Sequence, residues 1–295
     1  MVEQKTAGRA MFTGFNYMFL SFLSVICVLP LVNVLAISFS SKGAIEEGLV
    51  TFFPVEFTVY AYQHIANNQV FQASMLVSVE RVLLGVGLNF LLTILTAYPL
   101  SREVSQFRFR TPYVWVFVFT MLFSGGLIPS YVLVKELGLL NTIWALVLPG
   151  AVPVFNVVLL LNFFRNLPKE LSEAAFIDGA GHWSILWRIM IPLSLPAQAT
   201  VTLFATVGHW NEWFNGLIYM NNPENYPLSS YLQTIIIRFD LSSITDPAQL
   251  EAMSKLNDRA LRSAQIFLGA LPILVIYPFL QRYFMTGIVL GSVKE

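Results

Sequence analysis

The residues whose types and spacing could do chemistry gather in one polar stretch. From Asn166 to Pro196 the chain reads NLPKELSEAAFIDGAGHWSILWRIMIPLSLP. It carries Glu173-Ala174-Ala175, then Asp178-Gly179-Ala180, then Ile189 and Pro192. Acids scattered among alanines and glycines do not make a catalytic pair. They make a surface that another protein can approach closely, with Glu173 and Asp178 able to pair with Arg or backbone N–H groups. Catalytic residues are expected to be absent: His64, His182 and His209 lie far apart, no nucleophile motif occurs, and no metal-ligand spacing is evident. No G-x-x-x-x-G-K-[ST] run occurs either, which excludes a self-sufficient ATPase of that type at the level of motif.

The elements that present this stretch follow from composition. Of 295 residues, 56% are hydrophobic and 12% charged, and the mean hydropathy is +0.66. Soluble domains carry about 25% charged residues, so the sequence reads as an all-α membrane protein. A membrane helix needs about 20 mostly apolar residues, and backbone in lipid must satisfy its own hydrogen bonds. Segments near 14–38, 79–100, 111–134, 142–164, 195–220 and 263–283 qualify, giving six transmembrane helices in a single domain spanning 1–295. Zero net charge and no basic run argue against nucleic acid. The lone Cys27 can form no internal disulfide and reads as a small buried hydrophobe. Prolines 30, 129, 149, 153, 272 and 278 fall inside or at the ends of the spans.

Lys and Arg set the orientation. One side collects Lys5, Arg9, Arg102, Arg108, Arg110, Arg165, Lys169, Arg188, Arg282 and Lys294. The other has Lys42, Lys135, Arg238, Lys255, Arg259 and Arg262, diluted by many acids. The first side is expected to be cytoplasmic, together with both termini and the 165–194 loop. Within that loop, Pro168 suits a helix start, and Lys169 to Ile177 predict about two or three turns. Gly179-Ala180-Gly181 should end them, and His182 to Ile191 should form a second helix.

The loop resembles the EAA loop of permease subunits in binding-protein-dependent ABC importers: EAA, a glycine six residues after the Glu, then I-x-L-P, with Ile191 in place of Leu. Further motifs follow in that family's order: Ala97-Tyr98-Pro99-Leu100-Ser101-Arg102, Gly126-Leu127-Ile128-Pro129-Ser130-Tyr131, Trp210-Asn211 and a Gly291-Ser292-Val293-Lys294 ending. The whole is similar to carbohydrate permeases of the MalG-related group, and within it to LplC/YtcP-type subunits. That resemblance implies a type I importer (MetI-like) fold with cytoplasmic coupling helices, in the bacterial cytoplasmic membrane. It implies a second permease as heterodimer partner, two ATPase subunits that hold the ATP and Mg, and an extracytoplasmic solute-binding protein. No cofactor is then bound by this chain. Glu173, Ala174, Ala175, Asp178, Gly179, Ala180, Ile189 and Pro192 would form the ATPase-coupling site. Ile185, Leu186 and Ile189 would pack the elbow to the bundle, and the tail Gly291, Ser292, Val293 and Lys294 would reach the ATPase.

A carbohydrate path needs aromatic faces and amides. Asn89, Tyr98, Asn156, Trp210 and Asn211 are the candidates inside spans. The plainer reading is interhelical hydrogen bonding for the Asn residues and an interfacial belt for Trp. Glu80-Arg81 reads as a local neutral pair. The loops 41–73 and 221–262, with a helix starting at Pro247, are expected to meet the binding protein or to cap the bundle. The rival function is an ion-coupled secondary transporter, which needs ionisable residues deep in the bundle; here Glu80, Arg81 and Glu212 all fall near the outer face.

Overall fold

The computed structural model describes residues 7–237 and 257–292, and they are helical with no strand among them. In chain order the helices are α1 (Ala7–Ser38), α2 (Lys42–Glu46), α3 (Tyr60–Ala66), α4 (Gln69–Ser101), α5 (Arg110–Leu122), α6 (Leu127–Glu136), α7 (Ile143–Val147) and α8 (Val154–Asn166). Then come α9 (Lys169–Ile177), α10 (His182–Ile185), α11 (Ile191–Leu193), α12 (Leu195–Asn211), α13 (Phe214–Tyr219), α14 (Leu228–Ile237) and α15 (Asp258–Ser292). A π turn, Leu186–Met190, joins α10 to α11. Three stretches are long and apolar enough to cross a membrane as single helices: Gly8–Ser38, Gln69–Ser101 and Asp258–Phe279. Three more qualify only as bent pairs.

The bends correct the expected spans. The run 111–134 is not one rod: α5 and α6 meet at 112°, where Gly126 adopts φ 86°, a conformation that costs glycine little. The run 142–164 bends by 46° beside Pro149 and Pro153, which cannot donate backbone hydrogen bonds. The run 195–220 stops at Asn211 and restarts as α13. The predicted span 79–100 begins ten residues earlier, at Gln69. At ~1.5 Å per residue α4 is about 50 Å long, well over the ~30 Å of hydrocarbon.

The chain divides into two compact units. The first comprises 1–69 and 235–271. Its core is Ala36, Ile37, Ala44, Ile45, Ala61, Ile65, Ala260 and Ala264, all buried. The end of α1 is tied to the following loop. Phe39 stacks on Phe57 and Tyr62, Ser38 Oγ bonds Tyr62 OH at 2.8 Å, and Ser41 Oγ donates to Glu56 at 2.5 Å while capping α2. The rest of α1 is an exposed apolar surface, including Phe12, Phe15, Met18 and Phe22. Cys27 lies on that surface. The expectation of a buried cysteine fails because residues 8–31 of α1 pack against little of this chain.

The second unit comprises 70–234 and 272–295, and α4 is its axis. Ser74, Ser78, Arg81, Gly85, Asn89, Thr93 and Ala97 recur every three or four residues and are all buried, so one face of α4 carries small and polar groups into the interior. The main core lies toward the C-terminal end of α4, where Ile94, Ala97, Tyr98 and Leu100 meet Val157, Leu160, Leu161 and Phe164 of α8. The predicted helix from Pro247 and residues Val293 and Lys294 of the tail lie outside the described residues; Gly291 and Ser292 end α15.

Candidate functional site

The loop singled out by its residue types folds as a helical elbow. Pro168 caps α9 with φ −56° and ψ 125°, and Glu170 sits in the first turn, where the helix dipole favours an anion. The helix ends in a Schellman-type closure. Gly179 N–H bonds Phe176 O at 3.0 Å, and Ala180 N–H bonds Ala175 O at 2.9 Å. That closure requires a left-handed residue, which Gly179 supplies at φ 82°. The chain then turns into α10, the π turn and α11, and this arm meets α12 at 83°.

Proline chemistry explains the knee. Pro192 and Pro196 lack N–H groups and interrupt the helical ladder. Buried side chains add bonds at the break, to the Met190 and Ile191 carbonyls that also accept Ser194 N–H. Ser194 Oγ donates to Met190 O at 2.7 Å, and Gln198 Nε2 donates to Ile191 O at 2.5 Å and to Ser194 Oγ at 2.7 Å. Ile191 N–H reaches back to Leu186 O, which is the π register. Ser194 and Gln198 were not singled out by sequence; buried polar residues flanked by prolines were the available signal.

The second arm is anchored by Ile185, Leu186 and Met190, each 3% exposed or less and part of the main core. Ile189 is half-buried against the same core, and Pro192 is exposed. The small residues divide between two faces. Glu173, Ala174, Asp178 and Gly179 are exposed, whereas Ala175 and Ala180 pack on the core. The bare surface expected from the alanines and glycines is therefore a strip around Ala174 and Gly179. Open space surrounds Gly179, with no atom within 4 Å of a Cβ placed there. Beside this strip stand apolar side chains that the sequence reading passed over: Ile177 is 86% exposed and Trp183 64%.

Two further contacts fix the elbow. Lys169 pairs with Glu103 of the α4–α5 loop. The hydrogen bond and charge from Lys169 hold the Glu103 carboxyl below its ordinary range, and Glu103 raises Lys169 in return. Tyr98 OH lies 3.1 Å from His182 Nδ1, so this candidate path residue touches the elbow, and the Arg102 guanidinium covers its ring at 4.3 Å.

The remaining candidates lie along the polar face of α4. Asn89 Nδ2 donates to Gly150 O at 2.8 Å and Ala151 O at 2.9 Å, the carbonyls freed at the α7–α8 break. Its Oδ1 accepts from His209 Nε2 at 2.8 Å. Asn156 Nδ2 donates to Val201 O at 3.3 Å. Trp210 is buried and Asn211 exposed. The local Glu80–Arg81 pair is corrected. Glu80 is exposed, while Arg81, 1% exposed, binds Glu212 at 2.5 Å and donates to Glu212 O at 2.7 Å. The two charges lie 131 positions apart, and helical register turns Arg81 inward while its neighbour points out. A buried arginine needs such a partner. Asn89 and Arg81 thus each bind the end of an interrupted helix.

Comparison with known proteins agrees with this architecture. Residues 82–290 match the family described as binding-protein-dependent transport system inner membrane component. The Bacillus subtilis (strain 168) protein LplC is 38% identical over 288 residues, covering 98% of this chain and 96% of LplC. The polygalacturonan/rhamnogalacturonan transport system permease protein YtcP of the same organism is 38% identical over 278 residues, covering 94% of this chain and 96% of YtcP. A crystal structure of a bacterial ABC transporter involved in import of the acidic polysaccharide alginate superposes with TM-score 0.85 and 27% identity, covering 96% of this chain and 100% of that one. With an all-helical fold, interrupted spans and a matched region that includes the elbow, the chain belongs to the family of binding-protein-dependent transport system inner membrane components.

Proposed function

We propose that this chain is the permease subunit through which an ATP-driven importer moves a carbohydrate, with an oligosaccharide or polysaccharide fragment as cargo. The observation that carries the reading is the elbow. Its second arm is locked into the core by Ile185, Leu186 and Met190, while Glu173, Ala174, Asp178 and Gly179 remain outside. A force applied at that outer strip is delivered to α4 and α8 through packed side chains, which deform little. The cargo class rests on the relatives: one is named for polygalacturonan and rhamnogalacturonan, and the superposed transporter is involved in alginate import.

In this reading the elbow docks on a separate ATPase that binds ATP and Mg, and both termini share its cytoplasmic side. Glu173 and Asp178 supply polar contacts to the ATPase, and Ile177 and Trp183 supply apolar ones. A second permease lies beside the exposed apolar helices, and an extracytoplasmic solute-binding protein meets the opposite side. The tail Gly291, Ser292, Val293 and Lys294 forms a second ATPase contact. Asn211, exposed at the end of α12, is the path candidate best placed to meet cargo.

The test is reconstitution. The chain is co-expressed with its neighbouring permease, ATPase and binding-protein genes, and uptake of labelled oligogalacturonides and neutral oligosaccharides into proteoliposomes is followed with and without ATP. ATP-dependent uptake that needs all components is expected. Uptake by this chain alone, abolished by a proton uncoupler, would replace the proposal with an ion-coupled carrier. Cysteine labelling of the 165–194 loop from outside intact cells would overturn the orientation.

A further inference from the structure

Two pockets adjoin where α4 ends, α5 begins and α8 closes, and they share Arg102 and Gln106. One is cationic, about 310 Å³ in volume. Arg102, Arg110, Arg165 and Lys169 line it against two carboxylates, Glu103 and Glu173. Lys169 is already paired with Glu103, and Arg165 donates to Leu100 O at 3.2 Å. Arg102 lies over the Tyr98 ring, and neither it nor Arg110 has a carboxylate partner among the described residues. The pocket thus sets four cations against two carboxylates, and a guanidinium edge open to it suits the oxygens of a phosphate. The second pocket, about 270 Å³, is mainly apolar, with Leu95, Phe107 and Leu186 among its walls.

We propose that the paired pockets seat one anionic phospholipid, its phosphate against Arg102 and Arg110 and an acyl segment in the apolar pocket. Position selects a lipid over a soluble anion. Arg102 follows the last residue of α4, Arg110 is the first residue of α5, and Arg165 lies in the last turn of α8. Three span ends at one level mark the membrane–water boundary, where lipid phosphates lie. The cationic pocket also has α9 as a wall, through Lys169 and Glu173, so the seated lipid would brace the elbow. This site stands on its own geometry and does not require the ATPase contact proposed above.

The test uses the purified full-length chain and native mass spectrometry with dioctanoyl phosphatidylglycerol, dioctanoyl phosphatidylcholine and inorganic phosphate as separate probes. Phosphatidylglycerol is expected to bind at least tenfold tighter than phosphatidylcholine. Arg102→Gln with Arg110→Gln should reduce that binding at least tenfold. Leu95→Trp, which narrows the apolar pocket, should weaken lipid retention and leave inorganic phosphate unaffected. Thermal midpoints in detergent identify variants that fold, and the Arg102→Lys variant, which keeps the charge, should retain part of the binding. Equal retention of phosphatidylglycerol by wild type and the folded double variant overturns the proposal. So does tight binding of inorganic phosphate with no preference between the two lipids, because the site would then take a soluble anion.

Discussion

Gly179 offers a test in which two reasons for a glycine give opposite results. The residue is at φ 82° and closes α9. An L-residue with a Cβ in this conformation costs roughly 1–2 kcal/mol, with asparagine among the better tolerated. That is a factor of about 5–30 in the population of the closed turn. Space within the chain adds nothing, since a Cβ at Gly179 meets no atom within 4 Å. Gly179→Ala should therefore lower the thermal midpoint of the detergent-purified chain slightly, and Gly179→Asn should lower it less. The proposed ATPase contact predicts a different order for coupling. Any side chain on the exposed strip intrudes on the partner, so Gly179→Asn should lose substrate-stimulated ATPase activity in the assembled transporter although its fold is nearly intact. Gly179→Asp should be the more severe, since it adds a charge beside Glu173 and Asp178. The assay pairs a melting curve with ATPase rates in the presence of loaded binding protein. If Gly179→Asn kept wild-type stimulation while Gly179→Ala lost it in proportion to its stability, only the turn would matter, and the close-approach argument would be refuted.

Other perturbations separate anchor from contact. Glu173→Lys, on the exposed strip, should uncouple ATP hydrolysis from uptake in protein that still folds; normal uptake and normal stimulated rates would remove Glu173 from the coupling site. Ile185→Ala, in the fully buried anchor, should cost about 2–5 kcal/mol and show first as a lower thermal midpoint. Gly85→Ala would place its Cβ 2.5 Å from the His209 ring; overpacking of this kind costs about 1–3 kcal/mol, and Gly85→Ala with His209→Ala should recover part of it in the same melt. Glu103→Gln breaks an ion pair whose partners are both more than half exposed. Because Lys169 holds the Glu103 carboxyl low, any stability from the pair is present above the ordinary carboxylate range and lost as pH falls through the lowered folded value. Wild type and Glu103→Gln should therefore converge in acid, and a gap that widened there would contradict the assignment.

What the sequence made legible depends on the range of the interaction that fixes each feature. The elbow's two helices and their glycine turn follow from Pro168, Gly179 and the spacing between them, all local. The apolar spans follow from composition, also local. The bends were harder: a hydropathy window averages over Pro149, Pro153 and Gly126, so an interrupted helix and a straight one look alike. The polar face of α4 escaped because its meaning is set at long range. Arg81 reads as the partner of adjacent Glu80 until helical register turns one inward and one outward, and its carboxylate arrives from Glu212. Asn89 reads as a sugar ligand until the α7–α8 break puts the carbonyls of Gly150 and Ala151 in its path. Both cases follow one rule: a broken helix leaves carbonyls without donors, and in the absence of water a neighbouring helix must provide them. At the knee of the elbow, Ser194 and Gln198 instead add side-chain donors to carbonyls that already accept Ser194 N–H. Each break is thus stitched by side chains that bond in a particular geometry, and a transporter that alternates between two states must either carry these stitches through the motion or exchange them. In the proposed coupling the elbow acts on the end of α12 at Leu195, while Arg81 and Asn89 of α4 hold its other end through Glu212 and His209. Motion delivered at the knee therefore has to rotate α12 about that grip or break it, which makes Arg81→Lys the informative substitution. It keeps the charge and removes the fork, so a retained fold with altered coupling would place the pivot at Arg81–Glu212, and unchanged coupling would place it elsewhere.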